Sequence, residues 1–152
     1  MKGWKGIIIK SLIIITFSTF IGFLFNLLTN DSLFILSTKS PSYREISLSL
    51  AKERFDKGAH LFLDAREESL YRIGHIKGSV NLPLGNFNQM IEEFEREYPK
   101  GKKIIVYCGG SHCSSSYTLA KKLMERGYRE IEVFFGGWND WIKSSFPSER
   151  SR

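Results

Sequence analysis

The chain is poor in metal-binding and cross-linking residues: two cysteines and three histidines among 152 positions. Two cysteines are too few for a disulfide scaffold, and no second Cys/His cluster supplies four ligands for a structural metal. No cofactor or metal is expected. A Lys/Arg-rich run is also missing, as is any alternation of aromatic and basic residues. The net charge of +6 is modest, and part of it sits in Lys2, Lys5 and Lys10. The other basic residues are interleaved with Asp and Glu, as on a solvated surface. These features argue against a nucleic-acid partner. No internal repeat is present.

Charge is wholly absent from Ser11 to Leu28, and Gly6 to Leu28 is almost entirely apolar. A membrane-crossing helix needs about 20 such residues. Lys10 can snorkel to the headgroups and Trp4 fits an interfacial belt. The lysines lie upstream and the first acidic residue, Asp31, lies downstream. The positive-inside rule then puts the N-terminus in the cytoplasm and the remainder across the membrane. In a bacterium this means a single-pass inner-membrane protein with a periplasmic or extracytoplasmic domain. A cleaved secretory signal is the competing reading. No small-x-small pair precedes a mature start near residues 29–37, which favours an uncleaved anchor. Residues 1–29 are therefore read as anchor, 30–42 as linker, 43–147 as a single folded domain and 148–152 as a polar tail.

Within the domain, Ser47 is placed to cap a helix carrying Leu48, Ala51, Lys52 and Phe55, closed by Gly58. His60 to Asp64 (HLFLD) reads as a buried strand. A loop-rich segment follows, with a short helix near residues 67–71 and a short strand near 79–81. Asn86 and Gln89 suggest a capping box, before a helix with Phe87, Met90, Ile91, Phe94 and Tyr98 on one face. Ile104 to Tyr107 is a second buried strand. Ile131 to Phe135 is a third, followed by a Gly136–Gly137 turn and a short helix holding Trp138, Trp141 and Ile142. Strands alternating with helices predict an α/β fold: a parallel sheet covered on both faces.

Ligands of such sheets bind beyond the carboxyl ends of the strands. Cys108 stands at one such end, before a small-residue loop (Gly109, Gly110, Ser111, His112, Cys113, Ser114) and a helix that runs to Gly127. Backbone N–H groups and the helix dipole converge there, which stabilises a thiolate, the nucleophilic form of cysteine. Two cysteines across an anion-cradling loop also suggest that Cys113 can attack an oxidised or persulfidated Cys108. The loop must curl to bring their Cα atoms within about 7 Å. Their spacing alone leaves the bond open.

Three segments carry a resemblance. LDAREESLYRIGHIKGSVNLP, IIVYCGGSHCSSSYTLAKKLMERGY and FFGGWNDW resemble the Asp-x-Arg and Gly-His-Ile signature, the active-site strand–loop–helix and the closing Gly-Gly-x-x-x-Trp element of rhodanese-like domains. The resemblance implies a five-stranded parallel sheet flanked by helices. It also implies a sulfurtransferase whose cysteine, here Cys108, carries a sulfane sulfur from a small donor to a thiol acceptor as a persulfide. Asp64, Arg66, His75 and Trp138 are supporting residues, more structural than chemical. Many active single-domain members end the loop in Arg, which helps bind thiosulfate; here Cys113 stands instead, with Gly109 after the first cysteine. This leaves efficient thiosulfate use open, with His112 offering part of a positive charge. Related cell-cycle phosphatases need a longer loop ending in Arg; position 114 is Ser, which argues against phosphate-ester hydrolysis. The rival readings are a thiol–disulfide or sulfur-relay protein using Cys108 and Cys113, with a membrane or redox partner, and a non-enzymatic binding module.

Overall fold

A computed structural model of the chain describes residues 2–28 and 43–151, and the proposed linker 30–42 lies outside them. The chain divides into two units, Met1–Ser40 and Pro41–Arg152. In the first, helix α1 spans Lys2–Leu28. Its Gly6–Phe25 stretch of 20 residues has a mean hydropathy of 2.2, long and apolar enough for a membrane span or a signal segment. The hydroxyls in this run do not weaken it. Thr16 and Thr19 donate back to the carbonyls of Leu12 and Ile15, each at 3.0 Å, so neither needs water.

The second unit runs β1 (Arg44–Ile46), α2 (Leu48–Lys57), β2 (Leu61–Asp64), α3 (Glu68–Ile73), β3 (His75–Ile76), β4 (Val80–Asn81), α4 (Phe87–Glu97), β5 (Ile104–Tyr107), α5 (Ser115–Glu125), β6 (Ile131–Phe134), α6 (Gly137–Lys143) and β7 (Ser148–Glu149). Five strands form one sheet in the order β1-β6-β5-β2-β4, and every pairing is parallel. All residues of β2 and β5 are buried, because helices cover both faces. Alternation along each strand sorts them. Leu61, Leu63, Ile104 and Val106 pack with Phe87, Ile91, Phe94, Leu119 and Leu123 of α4 and α5. Phe62, Ile105 and Tyr107 face the other way, with Ile46, Ala51 and Trp141. Trp141 is fully buried among Phe55, Phe62, Phe134 and Phe146, and its indole N–H donates to the Pro147 carbonyl at 2.9 Å.

The helix boundaries follow their caps. Ser47 accepts from the Leu50 amide at 3.4 Å, and Gly58 closes α2 with a left-handed φ of 65° that a side chain would disfavour. The Asn86–Gln89 capping box does not form. A 3-10 turn over Leu84–Asn86 feeds straight into α4, and Asn86 makes no side-chain cap. Two further elements depart from the sequence reading. Arg44–Ile46 pairs with β6 as an edge strand, immediately after the proposed linker. Ser148 and Glu149, read as tail, pair antiparallel with His75 and Ile76.

Candidate functional site

The carboxyl ends of β2 and β5 lie side by side, with Asp64 in register with Tyr107. Cys108 follows Tyr107 directly, and the next turn of chain leads to α5. The sulfurs of Cys108 and Cys113 are joined in a disulfide, with Cα atoms 6.2 Å apart. The loop therefore curls enough to form the bond that the spacing alone left open. Cys108 is buried while Cys113 is partly exposed.

The curl is set from outside the loop. The α6 amides of Trp138 and Asn139 donate to the Cys108 and Gly109 carbonyls at 2.8 and 2.9 Å. Peptide N–H and C=O groups of a trans unit point in opposite directions. Every peptide here is trans, so the Gly109 and Gly110 amides point away from α6. Neither has a hydrogen-bond acceptor among the described residues. Cys113 closes the turn, its amide donating to the Gly110 carbonyl at 2.9 Å. Gly137 makes the approach of α6 possible. It has a φ of 57°, and a Cβ there would strike the Cys108 carbonyl, so only glycine fits.

Asp64 and Arg66 form the floor beside this loop. Arg66 Nε and Nη2 donate to the Asp64 carboxylate at 2.6–3.1 Å. Nη2 also donates to the Gly74 carbonyl at 2.7 Å, and the guanidinium lies 4.9 Å from the Trp138 ring centre. Both charged groups are buried. The cation is thus neutralised and used for architecture, a charge-assisted bidentate pair. Asn81 donates to the Asp64 and Arg66 carbonyls at 3.1 and 2.9 Å. Burial pushes the Tyr107 hydroxyl far above its ordinary range. It accepts from the Ile76 amide at 3.2 Å and meets Ser79 Oγ at 2.9 Å.

Cys108, Gly109 and Cys113 border a cavity of about 470 Å³, whose other walls include Ala65, Leu70 and Leu84. Glu67 and Arg66 also line it. The sequence reading did not name Leu70, Leu84 or Glu67, which reach the cavity only through the packing of α3 and the 3-10 turn. His75 does not line it. Its ring stacks on Tyr71 at 3.7 Å, its Nδ1 lies 2.8 Å from the Tyr71 carbonyl, and its Nε2 lies 3.4 Å from Glu149. Trp138 packs on Arg66 rather than on the cavity wall. Ser111, His112 and Ser114 are exposed. His112 meets Ser111 Oγ at 3.2 Å, and Ser114 precedes α5 without a side-chain cap.

This architecture defines a class: a parallel α/β domain presenting a cysteine loop at the carboxyl end of its central strand. Residues 47–144 match the rhodanese-like domain family, and the chain belongs to that family. It is 31% identical over 106 residues to the thiosulfate sulfurtransferase GlpE of Haemophilus influenzae, covering 70% of this chain and 94% of the relative. The protein of that name from Coxiella burnetii is 29% identical over 106 residues, covering 70% and 92%. Among solved structures, a rhodanese-related protein of Thermoplasma volcanium aligns with a TM-score of 0.59 and 26% identity, covering 72% of this chain and all of the other. A Bacillus halodurans protein aligns at 0.63 and 26%, covering 70% and 77%.

Proposed function

We propose that the protein is a membrane-anchored, exported sulfurtransferase that carries a sulfane sulfur as a persulfide on Cys108. The observation that carries this reading is the position of Cys108: at the strand end, bordering the cavity, with the Gly109 and Gly110 amides unpaired beside it. A persulfide is a soft anion that such amides stabilise. The Cys108 thiolate attacks the outer sulfur of a donor persulfide, the donor thiol leaves, and Cys108 holds the transferred sulfur. A thiol acceptor then removes it. The donor class follows from the walls. Arg66 is spent on Asp64, and the remaining lining named above is apolar or, at Glu67, acidic. This favours a low-molecular-weight persulfide or polysulfide over the thiosulfate dianion.

The disulfide favours a second outlet. In the reduced protein, the Cys113 thiolate attacks the inner sulfur of the Cys108 persulfide. Hydrogen sulfide leaves and the Cys108–Cys113 disulfide forms. An external dithiol returns both cysteines to thiols and is itself oxidised to a disulfide. Per cycle, one persulfide and one dithiol become one thiol, one sulfide and one disulfide. An oxidising compartment outside the membrane suits a chain that rests in the disulfide form.

The test is mass spectrometry of the reduced full-length chain after exposure to glutathione persulfide, polysulfide or thiosulfate. The expected result is an added single sulfur on Cys108 in the Cys113→Ala variant, greater with the first two donors. No adduct with any donor would overturn the proposal. For the anchor, membrane-fraction protein retaining Met1–Leu28 is expected; a mature chain starting after position 29 would replace anchor with signal.

A further inference from the structure

A second cavity, of about 310 Å³, opens at the amino ends of the strands and has no part in the sulfur chemistry. Five separate segments converge on it: Arg44 from β1, Arg54 from α2, His60 before β2, Lys103 before β5, and Arg129, Glu130 and Glu132 around the start of β6. Four permanent cations thus face two carboxylates. The carboxylates are already taken, and loosely. Glu132 lies 3.4 Å from Arg54 Nε and 3.9 Å from His60 Nε2, and Glu130 lies 3.5 Å from Lys103. Arg44 and Arg129 have no ion pair or hydrogen-bond acceptor among the described residues.

The interior of the cavity is unsatisfied as well. The His60 side chain is only 10% exposed, and among the described residues its Nδ1 has no hydrogen-bond partner; Arg54 Nε and Glu132 Oε2, an ion pair 3.4 Å apart, make no hydrogen bond either. Buried polar atoms almost always find partners, because leaving them bare forfeits their hydration without a replacement. A buried imidazole nitrogen and a loosely paired guanidinium Nε thus meet, on one concave surface that also holds Glu132 Oε2, two guanidinium groups without an ion pair among the described residues. Guanidinium groups bind phosphate oxygens through paired N–H bonds.

We infer that this cavity is a binding site for a phosphate group, with Arg44 and Arg129 gripping its outer oxygens, Arg54 Nε exchanging its loose contact with Glu132 for the phosphate, and His60 donating from within as its Nδ1–H tautomer. Soluble phosphate and an anionic phospholipid headgroup share this chemistry.

The experiment uses the full-length chain in phosphatidylcholine nanodiscs, with the His60 imidazole resonance and the melting temperature as readouts. Inorganic phosphate is titrated at constant ionic strength set with chloride, and a parallel sample replaces part of the lipid by phosphatidylglycerol. A saturable His60 shift and a rise in melting temperature with phosphate identify a soluble ligand. The same change only with phosphatidylglycerol identifies the headgroup. The Arg44→Ala/Arg129→Ala double variant is expected to weaken the response at least tenfold with its own melting temperature unchanged, and Glu130→Gln to strengthen it severalfold. If neither phosphate nor phosphatidylglycerol moves His60, or the double variant responds like the wild type, the inference is overturned.

Discussion

At the carboxyl end of the sheet, Asp64 and Arg66 meet through contacts of 2.6–3.1 Å. At the amino end of the same sheet, Arg54 and Glu132 stand 3.4 Å apart, and Arg54 Nε, Glu132 Oε2 and the nearby His60 Nδ1 make no hydrogen bond among the described residues. The first pair is saturated: carboxylate, guanidinium and the Gly74 carbonyl consume one another. The second cluster is loosely paired, and its Arg44 and Arg129 have no ion pair among the described residues. The contrast teaches that a family's charged signature residues can be architectural, while charges outside every motif stay free to bind.

Removing one partner from the saturated pair carries the largest stability effect. Asp64→Asn leaves the buried Arg66 guanidinium without its counter-charge, a change that costs about 3–5 kcal/mol. Urea denaturation of the oxidised protein measures it, and a loss below about 1 kcal/mol would break the comparison. Reducing the disulfide comes next. It opens a loop that joins residues five apart in sequence, and such a short closed loop is worth about 2 kcal/mol. Dithiol treatment should lower wild-type stability by that much and leave Cys113→Ala unaffected.

A smaller effect separates the two ends by pH. Burial is the main cause that holds the His60 imidazole below its ordinary value of 6.5; Glu132 opposes it, while Arg54 and Lys103 reinforce it and Glu130 opposes. The unfolded chain then takes up a proton that the folded chain refuses, so stability falls as pH drops through 6.5. Melting temperatures between pH 8 and 5 should show this slope, flattened in His60→Asn. An identical slope in the variant would assign it elsewhere. The smallest effect is expected where the charges are free. Arg44→Ala and Arg129→Ala should change stability by no more than about 0.5 kcal/mol. A larger loss would show that these guanidinium groups are structural after all.

The sequence made the sheet's centre legible because β2 and β5 are continuous apolar runs, buried on both faces. Of the sheet's two edges, β4 was read from the sequence, near residues 79–81, and β1 was not. β1 spans three residues and buries only Ile46, so it carries no periodicity to read. The β3–β7 ribbon joins His75 to Glu149, a pairing that only the finished fold brings together. Cys108 was visible as a strand-end thiol, but its bond to Cys113 was not, because the loop's curl is fixed by α6 amides from Trp138 and Asn139. The amino-end cations looked like ordinary surface charge for a related reason: each comes from a different segment, and only the parallel sheet aligns their starting points.

The proposed outlet through the disulfide rests on Cys113 resolving what Cys108 acquires. A single-turnover reaction of the reduced chain with one equivalent of glutathione persulfide, with released sulfide and protein mass followed together, tests this most directly. The account predicts one sulfide per chain and a wild-type protein that ends in the disulfide form, while Cys113→Ala keeps the extra sulfur and releases none. A wild-type chain that retained the added sulfur on Cys108 and released no sulfide would contradict it.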